Sequence, residues 1–592
     1  MRKRRLTTYV ALLVAGYSLN AQVAPAWTNF VESKANGKQP ILSDYSYSGY
    51  EFSEQPIPDI SAYTYFNVQD YGATANDANY DDAGIQAAID AAEASGKPAV
   101  VFFPAGRYTV SSDNDITKSI SINSDHIVLK GEGSEENGTE IFMDKLRVSN
   151  GHWQFRFQPE SYNTSTLTTL VEEAKRGDFT ITVASAGNLY VGQSIFIYHK
   201  SEEFARAHYG NLALNETEWT RLFGTDGGLT FYECHIIDSI NGNEVTFRNP
   251  IQVDLPVLTE SFTIRNLKTI EGVGIEDIRF SSGWGTYPRE FVHHADDTVD
   301  YGWNAVQFKY TQNAWIRNCE FKDWTQVADI RESIGVTVDS VLISGKQGHA
   351  SWITRRNYGV LVKDCIDDAN HHHGPGVGYS GVSTVYLRYK MSENQSIDCH
   401  SGSPFTTLMD DMDGGDFHTN GGPWESYPHH ARYMTFWNFI HKKSSDISYN
   451  FWSVAARKPA TYAQPYFIGL QPTNTVTMTG HGLDQMRGIA VEPKSLFEAQ
   501  LNLRLNPTDT TTNSIYNKEL STYIQVFPNP TNEFITIPGM WESITLINTS
   551  GKELTLQVDN DQKIYVGNLP AGIYHIRLLD DSKVMYSRFV KE

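Results

Sequence analysis

The sequence predicts an all-β chain: a right-handed parallel β-helix with an N-terminal helical cap, followed by a small C-terminal β-sandwich. Three observations carry this expectation. Short apolar strands recur at the interval of one coil, an amphipathic helix between two buried strands precedes them, and the end of the chain alternates as strands between Gly, Pro and Asn turns. The organisation read from them is a signal peptide at 1–21, an N-terminal extension at 22–60, a parallel β-helix catalytic domain at 61–505, a linker at 506–522 and a final domain at 523–592.

The leader has a basic head, Arg2-Lys3-Arg4-Arg5, a short apolar run from Tyr9 to Gly16 and small residues before a cut near Ala21. That run is too short to span a bilayer, which takes about 20 residues, and no later segment supplies a span. An exported, soluble mature chain is expected. The formal net charge of −21 over 592 residues becomes more negative once the leader is removed. Such a surface repels nucleic acid and anionic lipid. An anionic substrate would need a local cluster of Arg, Lys and His set against that field. Four cysteines with no Cys-x-x-Cys pair exclude a disulfide scaffold and a cysteine-held structural zinc.

The cap reads Tyr65-Phe66-Asn67-Val68-Gln69-Asp70-Tyr71-Gly72-Ala73, then Asp81-Asp82 leading into a helix with Ile85, Ala88, Ile89 and Ala92 on one face, then Val100-Val101-Phe102-Phe103-Pro104-Ala105-Gly106. This passage resembles the N-terminal cap of the pectate-lyase-like β-helix superfamily. The resemblance implies the fold more than the reaction, because the same cap precedes hydrolases, lyases and phage tailspikes.

The repeats begin at Ile316, Val338, Val362 and Leu387, each an apolar strand, a bend and a second strand. Each coil buries its inner face only by stacking on its neighbours. In this register Cys319 and Cys365 take the same inward position two coils apart, and Lys390 falls on it too, so either Lys390 is buried with a partner or the register slips there. Gly177–Val183 and Val191–Ile197 alternate as strands and are expected to be coils carrying a long excursion from Glu202 to Glu233. After the linker, Val526-Phe527-Pro528-Asn529-Pro530, Gly551 and Leu569-Pro570-Ala571-Gly572-Ile573-Tyr574 resemble the C-terminal sorting domain of the Por-type secretion system. That resemblance implies passage through the outer membrane by the Por-type machinery, to the medium or the cell surface.

The chemistry is expected between His349 and His441, which holds nine of the 18 histidines. Catalytic candidates are His373, Tyr379, Arg388, Lys390 and His400, and substrate-binding candidates are Arg355, Arg356, His371, His372 and His418. Imidazole and phenol groups can exchange the C5 proton and the leaving-group proton of a uronic acid, and cations can neutralise its carboxylate. Asp410, Asp411 and Asp413 offer oxygen donors for a Ca²⁺ cofactor, without the spacing of a complete calcium loop, and a solvated turn is the alternative. The leading expectation is a secreted polysaccharide lyase acting on an anionic, uronic-acid-containing polysaccharide. The overall layout is similar to that of exported β-helix proteins that degrade sulfated algal uronates such as ulvan.

Two alternatives stay open. Asp367-Asp368, His373-Gly374 and Arg388-Tyr389-Lys390 follow the order of motifs in polygalacturonase-type inverting hydrolases with different spacing, and two carboxylates would do that work. A non-catalytic carbohydrate-binding β-helix is the other, since one fold hosts many functions.

Overall fold

The computed structural model describes residues 22–112, 118–149, 151–417, 420–455, 460–506, 531, 533–537, 541, 543–548, 553–554, 563–580 and 583–591. The expected leader, His418 and nearly all of the linker lie outside the described residues.

The main body is a parallel β-helix of three faces. The first face stacks Thr64–Asn67, Ala99–Phe102, Ile127–Gly133, Gly274–Ser282, Thr311–Arg317, Ile334–Asp339, Tyr358–Lys363, Val382–Leu387, Phe405–Asp410, Met434–Trp437, Tyr466–Ile468 and Leu483–Gln485. The second runs through Gly106–Val110, Thr139–Met143, Glu320–Lys322, Leu342–Ser344 and Ile366–Asp367. The third stacks Ile120–Ile122, Phe155–Phe157, Asn304–Lys309, Gln326–Arg331 and Ala350–Arg355. The winding is right-handed, as parallel crossovers are. Helix Asp82–Ala94 covers the first coils with Ile85, Ala88, Ile89 and Ala92 fully buried, as the cap pattern predicts.

Repetition shows in the corners. Between the first and second faces, Asn318, Ser340, Asp364, Arg388, Asp411 and Asn438 all have φ between +49° and +56°. One left-handed residue per coil turns the strand without adding length. Inside, like residues stack: the rings of Phe280 and Phe321 are 5.1 Å apart, and those of Phe436 and Phe467 are 4.8 Å apart.

The register corrects the fourth repeat by one residue. Val362 pairs with Tyr386, not Leu387. The inward position of Cys319 and Cys365 therefore passes to Tyr389, which is fully buried with its hydroxyl 3.1 Å from the Trp352 indole nitrogen. Lys390 turns outward. The phenol fills the column with an apolar ring and a satisfied polar tip, whereas an ammonium there would be desolvated.

The strands around Thr180 and Ile195 are not coils. They belong to a six-stranded antiparallel sheet in the order Thr180–Thr182, Glu244–Phe247, Leu229–Asn241, Ser194–Ser201, Thr263–Asn266, Thr166–Thr169. Two-residue alternation fits either sheet type, so the sequence did not separate them. The core of this insert packs on Ile334, Tyr358, Val382 and Phe405 at the edge of the first face.

The N-terminal extension straps the coils together. Tyr45 Oη lies 2.8 Å from Thr435 Oγ1, Ser48 Oγ donates to the Ser383 carbonyl, Gly49 N–H to the Gly359 carbonyl, Tyr50 N–H to Thr337 Oγ1 and Glu51 N–H to Asn313 Oδ1. The strap thus crosses six successive coils, with these contacts on five of them. Towards the C-terminus the described strands form a two-stranded and a four-stranded antiparallel sheet, with Ile535, Leu546, Ile564, Ile576, Leu578 and Phe589 in a common core.

Candidate active site

On the third face the coil period brings histidines into line. His373 N–H donates to the His349 carbonyl at 2.8 Å, and His400 N–H to the Val377 carbonyl at 2.8 Å. These residues, with Tyr301, Gln326, Arg355, Tyr379 and Asp398, line a cavity of about 140 Å³. Tyr379 also lines a second cavity of about 350 Å³, together with Lys200, Arg221 and Thr230 of the insert and Arg356 of the coils. The two cavities meet at Tyr379. Its corner is left-handed, with φ of +41° at Tyr379 and +58° at Ser380, and Ser380 Oγ donates to the Thr230 carbonyl at 2.6 Å. The insert therefore fixes the corner that carries the phenol.

Asp398 is the centre of the polar network. Its Oδ2 lies 2.9 Å from His400 Nδ1 and 3.5 Å from His373 Nδ1, and its Oδ1 accepts the Gly421 N–H at 2.6 Å. Burial acts to raise its pKa, but His373 and His400 outweigh it and hold the carboxyl well below the usual range. His400 responds in kind: burial acts to lower its pKa, and the Asp398 carboxylate raises it overall. Asp-x-His places both side chains on one side of a strand, and Asp398 was left out of the site by the sequence reading, as were His349, Tyr301 and Gln326.

A long loop after Gly274–Ser282 supplies the far wall. Lys346 Nζ donates to the carbonyls of Tyr287 and Arg289, each at 2.7 Å, and the loop then carries His293 and His294 to the coils. The His293 ring stacks on His372 with centroids 3.9 Å apart. His349 is buried, and desolvation followed by the surrounding imidazoles pushes its pKa down to about 2, so it is neutral.

Of the sequence candidates, His373, Tyr379, His400 and Arg355 come together at the first cavity, Arg356 lines the second, and His372 stands at the edge beside His293. His371 lies in the coil wall, fully buried, with Nε2 3.1 Å from the Trp324 carbonyl. Arg388 and Lys390 are corrections. Arg388 is the left-handed corner between the first and second faces, bound to Asp364 at 2.7 Å and to Glu498 at 2.7 Å. Lys390 sits on the second face between Ile366 and Asp413. Both point away from the third face.

The Ca²⁺ expectation at Asp410, Asp411 and Asp413 does not fit either. Asp410 is fully buried and caps helix Leu496–Leu505, accepting from Ser495 Oγ at 2.7 Å, Leu496 N–H at 3.1 Å and Phe497 N–H at 2.8 Å. Asp411 pairs with Lys494 at 3.3 Å, and Asp413 pairs with Lys442. Three carboxylates spent on separate partners do not converge on one ion. The hydrolase motif is dispersed as well: Asp367 is buried against Gln395, and Asp398 is the single carboxylate among the described residues lining the first cavity.

Residues 65–188 are pectate-lyase-like. They match a family model described as rhamnogalacturonase A/epimerase, pectate lyase-like. Residues 525–592 match the secretion system C-terminal sorting domain, which marks the chain for export to the medium or the cell surface. Residues 370–513, which hold His373, Tyr379, Asp398 and His400, match a domain of unknown function, DUF4955. Mannuronan C5-epimerases AlgE1 and AlgE3 of Azotobacter vinelandii are each 34% identical over 119 residues, 20% of this chain. The chain spans only 8% and 6% of the length of these two relatives. Among solved structures, the A-module of mannuronan C-5 epimerase AlgE4 of the same organism aligns at TM-score 0.36 and 13% identity, over 72% of this chain and 96% of that one. The tailspike gp61 of Pseudomonas phage phi297 aligns at TM-score 0.35 and 12% identity, over 89% and 98%. No helix among the described residues is long and apolar enough to cross a membrane.

Proposed function

We propose that this chain is an exported polysaccharide lyase that cleaves a uronic-acid-containing chain by β-elimination, with a sulfated, ulvan-like polyanion as substrate class. The observation that carries the reading is the arrangement at the first cavity: a carboxylate-oriented imidazole, His400, and a phenol, Tyr379, open on the same space beside Arg355. In the proposed reaction His400 takes the C5 proton, the electrons form the C4–C5 double bond, the bond from C4 to the bridging oxygen breaks, and Tyr379 protonates that oxygen. Arg355 faces the substrate carboxylate, and Lys200, Arg221 and Arg356 extend the cationic path into the second cavity. An inverting hydrolase needs a second carboxylate across the cleft, and the lining of the first cavity offers only Asp398, which is bound to two histidines.

Mannuronan C5-epimerases, to which the chain is similar over 119 residues, act by their name at the carbon that loses its proton in this scheme. Epimerisation is therefore the second reading, differing in that the proton returns and the chain is not cut. The test is incubation of the purified chain with ulvan, pectate and alginate. Growth of the ultraviolet absorbance of an unsaturated uronyl end is expected. New reducing ends without that absorbance would move the assignment to hydrolysis, and a changed C5 configuration in the proton NMR spectrum with neither would move it to epimerisation.

A further inference from the structure

The loop bearing His293 closes on the third face at a point where three imidazoles converge. One nitrogen each from His293, His349 and His373 lies within 4.8 Å of the other two. His293 Nε2 and His373 Nε2 are 3.2 Å apart. Two imidazole nitrogens on one tetrahedral zinc, each at about 2.0–2.1 Å from the metal, stand about 3.3 Å from each other.

Two further features distinguish this cluster from a chance group of histidines. The first is an unsatisfied atom. His349 is only 5% exposed, and its Nε2 is buried without a hydrogen-bond partner. A buried nitrogen left this way costs stability unless something binds it. The second is the outer ring of contacts. His349 Nδ1 lies 3.3 Å from the Asp300 carbonyl oxygen, which can only accept, and 3.4 Å from the Gln326 side-chain amide nitrogen; a proton on Nδ1 shared with the carbonyl leaves the lone pair on Nε2. His373 Nδ1 faces the Asp398 carboxylate at 3.5 Å, while its Nε2 is turned towards His293. Metal-bound histidines characteristically use their second nitrogen in this way, on a carbonyl or a carboxylate.

We propose that His293, His349 and His373 form a binding site for a divalent transition metal of the zinc class, with the fourth position open towards the cavity. The donor set is all nitrogen, which suits zinc, nickel or copper and not calcium or magnesium. Three protein ligands with one open position is the arrangement of zinc sites that bind a water or a substrate oxygen. Because the site borders the cavity of the proposed lyase, an anionic oxygen of a sugar is the class of ligand that the open position would take. The metal site itself stands on the three histidines and not on the identity of the reaction.

The experiment measures metal and not turnover, so its outcome is separate from that of the lyase assay. The full chain is stripped with a chelator, loaded with Zn²⁺, desalted and analysed for metal by mass spectrometry, and a parallel sample is loaded with Co²⁺ and read by visible absorption. One equivalent of Zn²⁺ per chain, with a Co²⁺ spectrum characteristic of nitrogen ligands, is expected. His293→Ala changes an exposed loop residue and is expected to keep the fold while reducing retained zinc at least tenfold. His349→Gln is expected to do the same, with circular dichroism as the check on folding. Less than one equivalent retained by the unaltered chain, or equal retention in folded His293→Ala, overturns the proposal and leaves the 3.2 Å contact as an imidazole–imidazole hydrogen bond.

Discussion

Asp398 holds His400 through Nδ1 and leaves the opposite edge of the ring to the cavity, so the carboxylate both aims the base and sets its titration. Replacing His400 with Ala is expected to lower kcat by about 10²–10⁴-fold, the usual worth of a positioned acid or base. Asp398→Asn tests the electrostatic part. Asp398 raises the pKa of His400, so removing its charge lowers that pKa. The base is active when neutral, and the acid limb of the kcat/KM profile is therefore expected to move to lower pH in Asp398→Asn. An unmoved limb would show that His400 is not the titrating base. Arg388→Ala gives the opposite result at a corner distant from the cavity: turnover per folded molecule stays at the unaltered level. The lost contacts to Asp364 and Glu498 are partly exposed and cost on the order of 1 kcal/mol or less.

Among the elements, the strap and the final helix decide how well the late coils hold together. At Gly359 the backbone has φ of +71°, and an added Cβ would come 2.7 Å from the Tyr47 carbonyl oxygen. Gly359→Ala therefore meets both a left-handed backbone and a clash with the strap. A loss of about 1–3 kcal/mol is expected in denaturant unfolding. Asp410 ties helix Leu496–Leu505 to the first face with three accepted hydrogen bonds. Asp410→Ala strands those donors and is expected to cost about 1–3 kcal/mol. Chelating Ca²⁺ is expected to leave this part of the fold unchanged, because the carboxylates there are occupied by protein. The aspartate run looked like an ion site because composition shows oxygen donors and not their partners.

The whole molecule should be labile to acid. Burial pushes His208 and His429 down to about 3 and His430 and His441 down to about 4, all below the ordinary imidazole value near 6.5. Their folded pKa values are depressed, so on unfolding in mild acid they take up protons that the folded chain refuses. Stability rises with pH where the unfolded state binds more protons, so this contribution is intact above pH 6.5 and is lost as pH falls towards 4. Each such group contributes about 1.4 kcal/mol per pH unit in that window. A falling melting temperature between pH 6.5 and 4 is the expected readout, with a shallower fall in His430→Gln.

At this scale the sequence alone determined the β-helix and its cap, and the antiparallel insert emerged only from the tertiary structure. The cap, the coil period and the sorting domain are written in local apolar patterns and turn residues, which the chain must satisfy wherever it goes. It also located His373, Tyr379 and His400 in one window, because the coil period is readable. Which side of the coil each residue faces was decided by the tertiary structure. A slip of one position between Val362 and Tyr386 exchanges a buried and an exposed side chain, and the left-handed corners turn Arg388 away from the cleft. The loop carrying His293 and the insert carrying Lys200 and Arg221 reach the site from far along the chain. No short-range pattern encodes those contacts, since they arise only when separate segments pack against the same stacked coils.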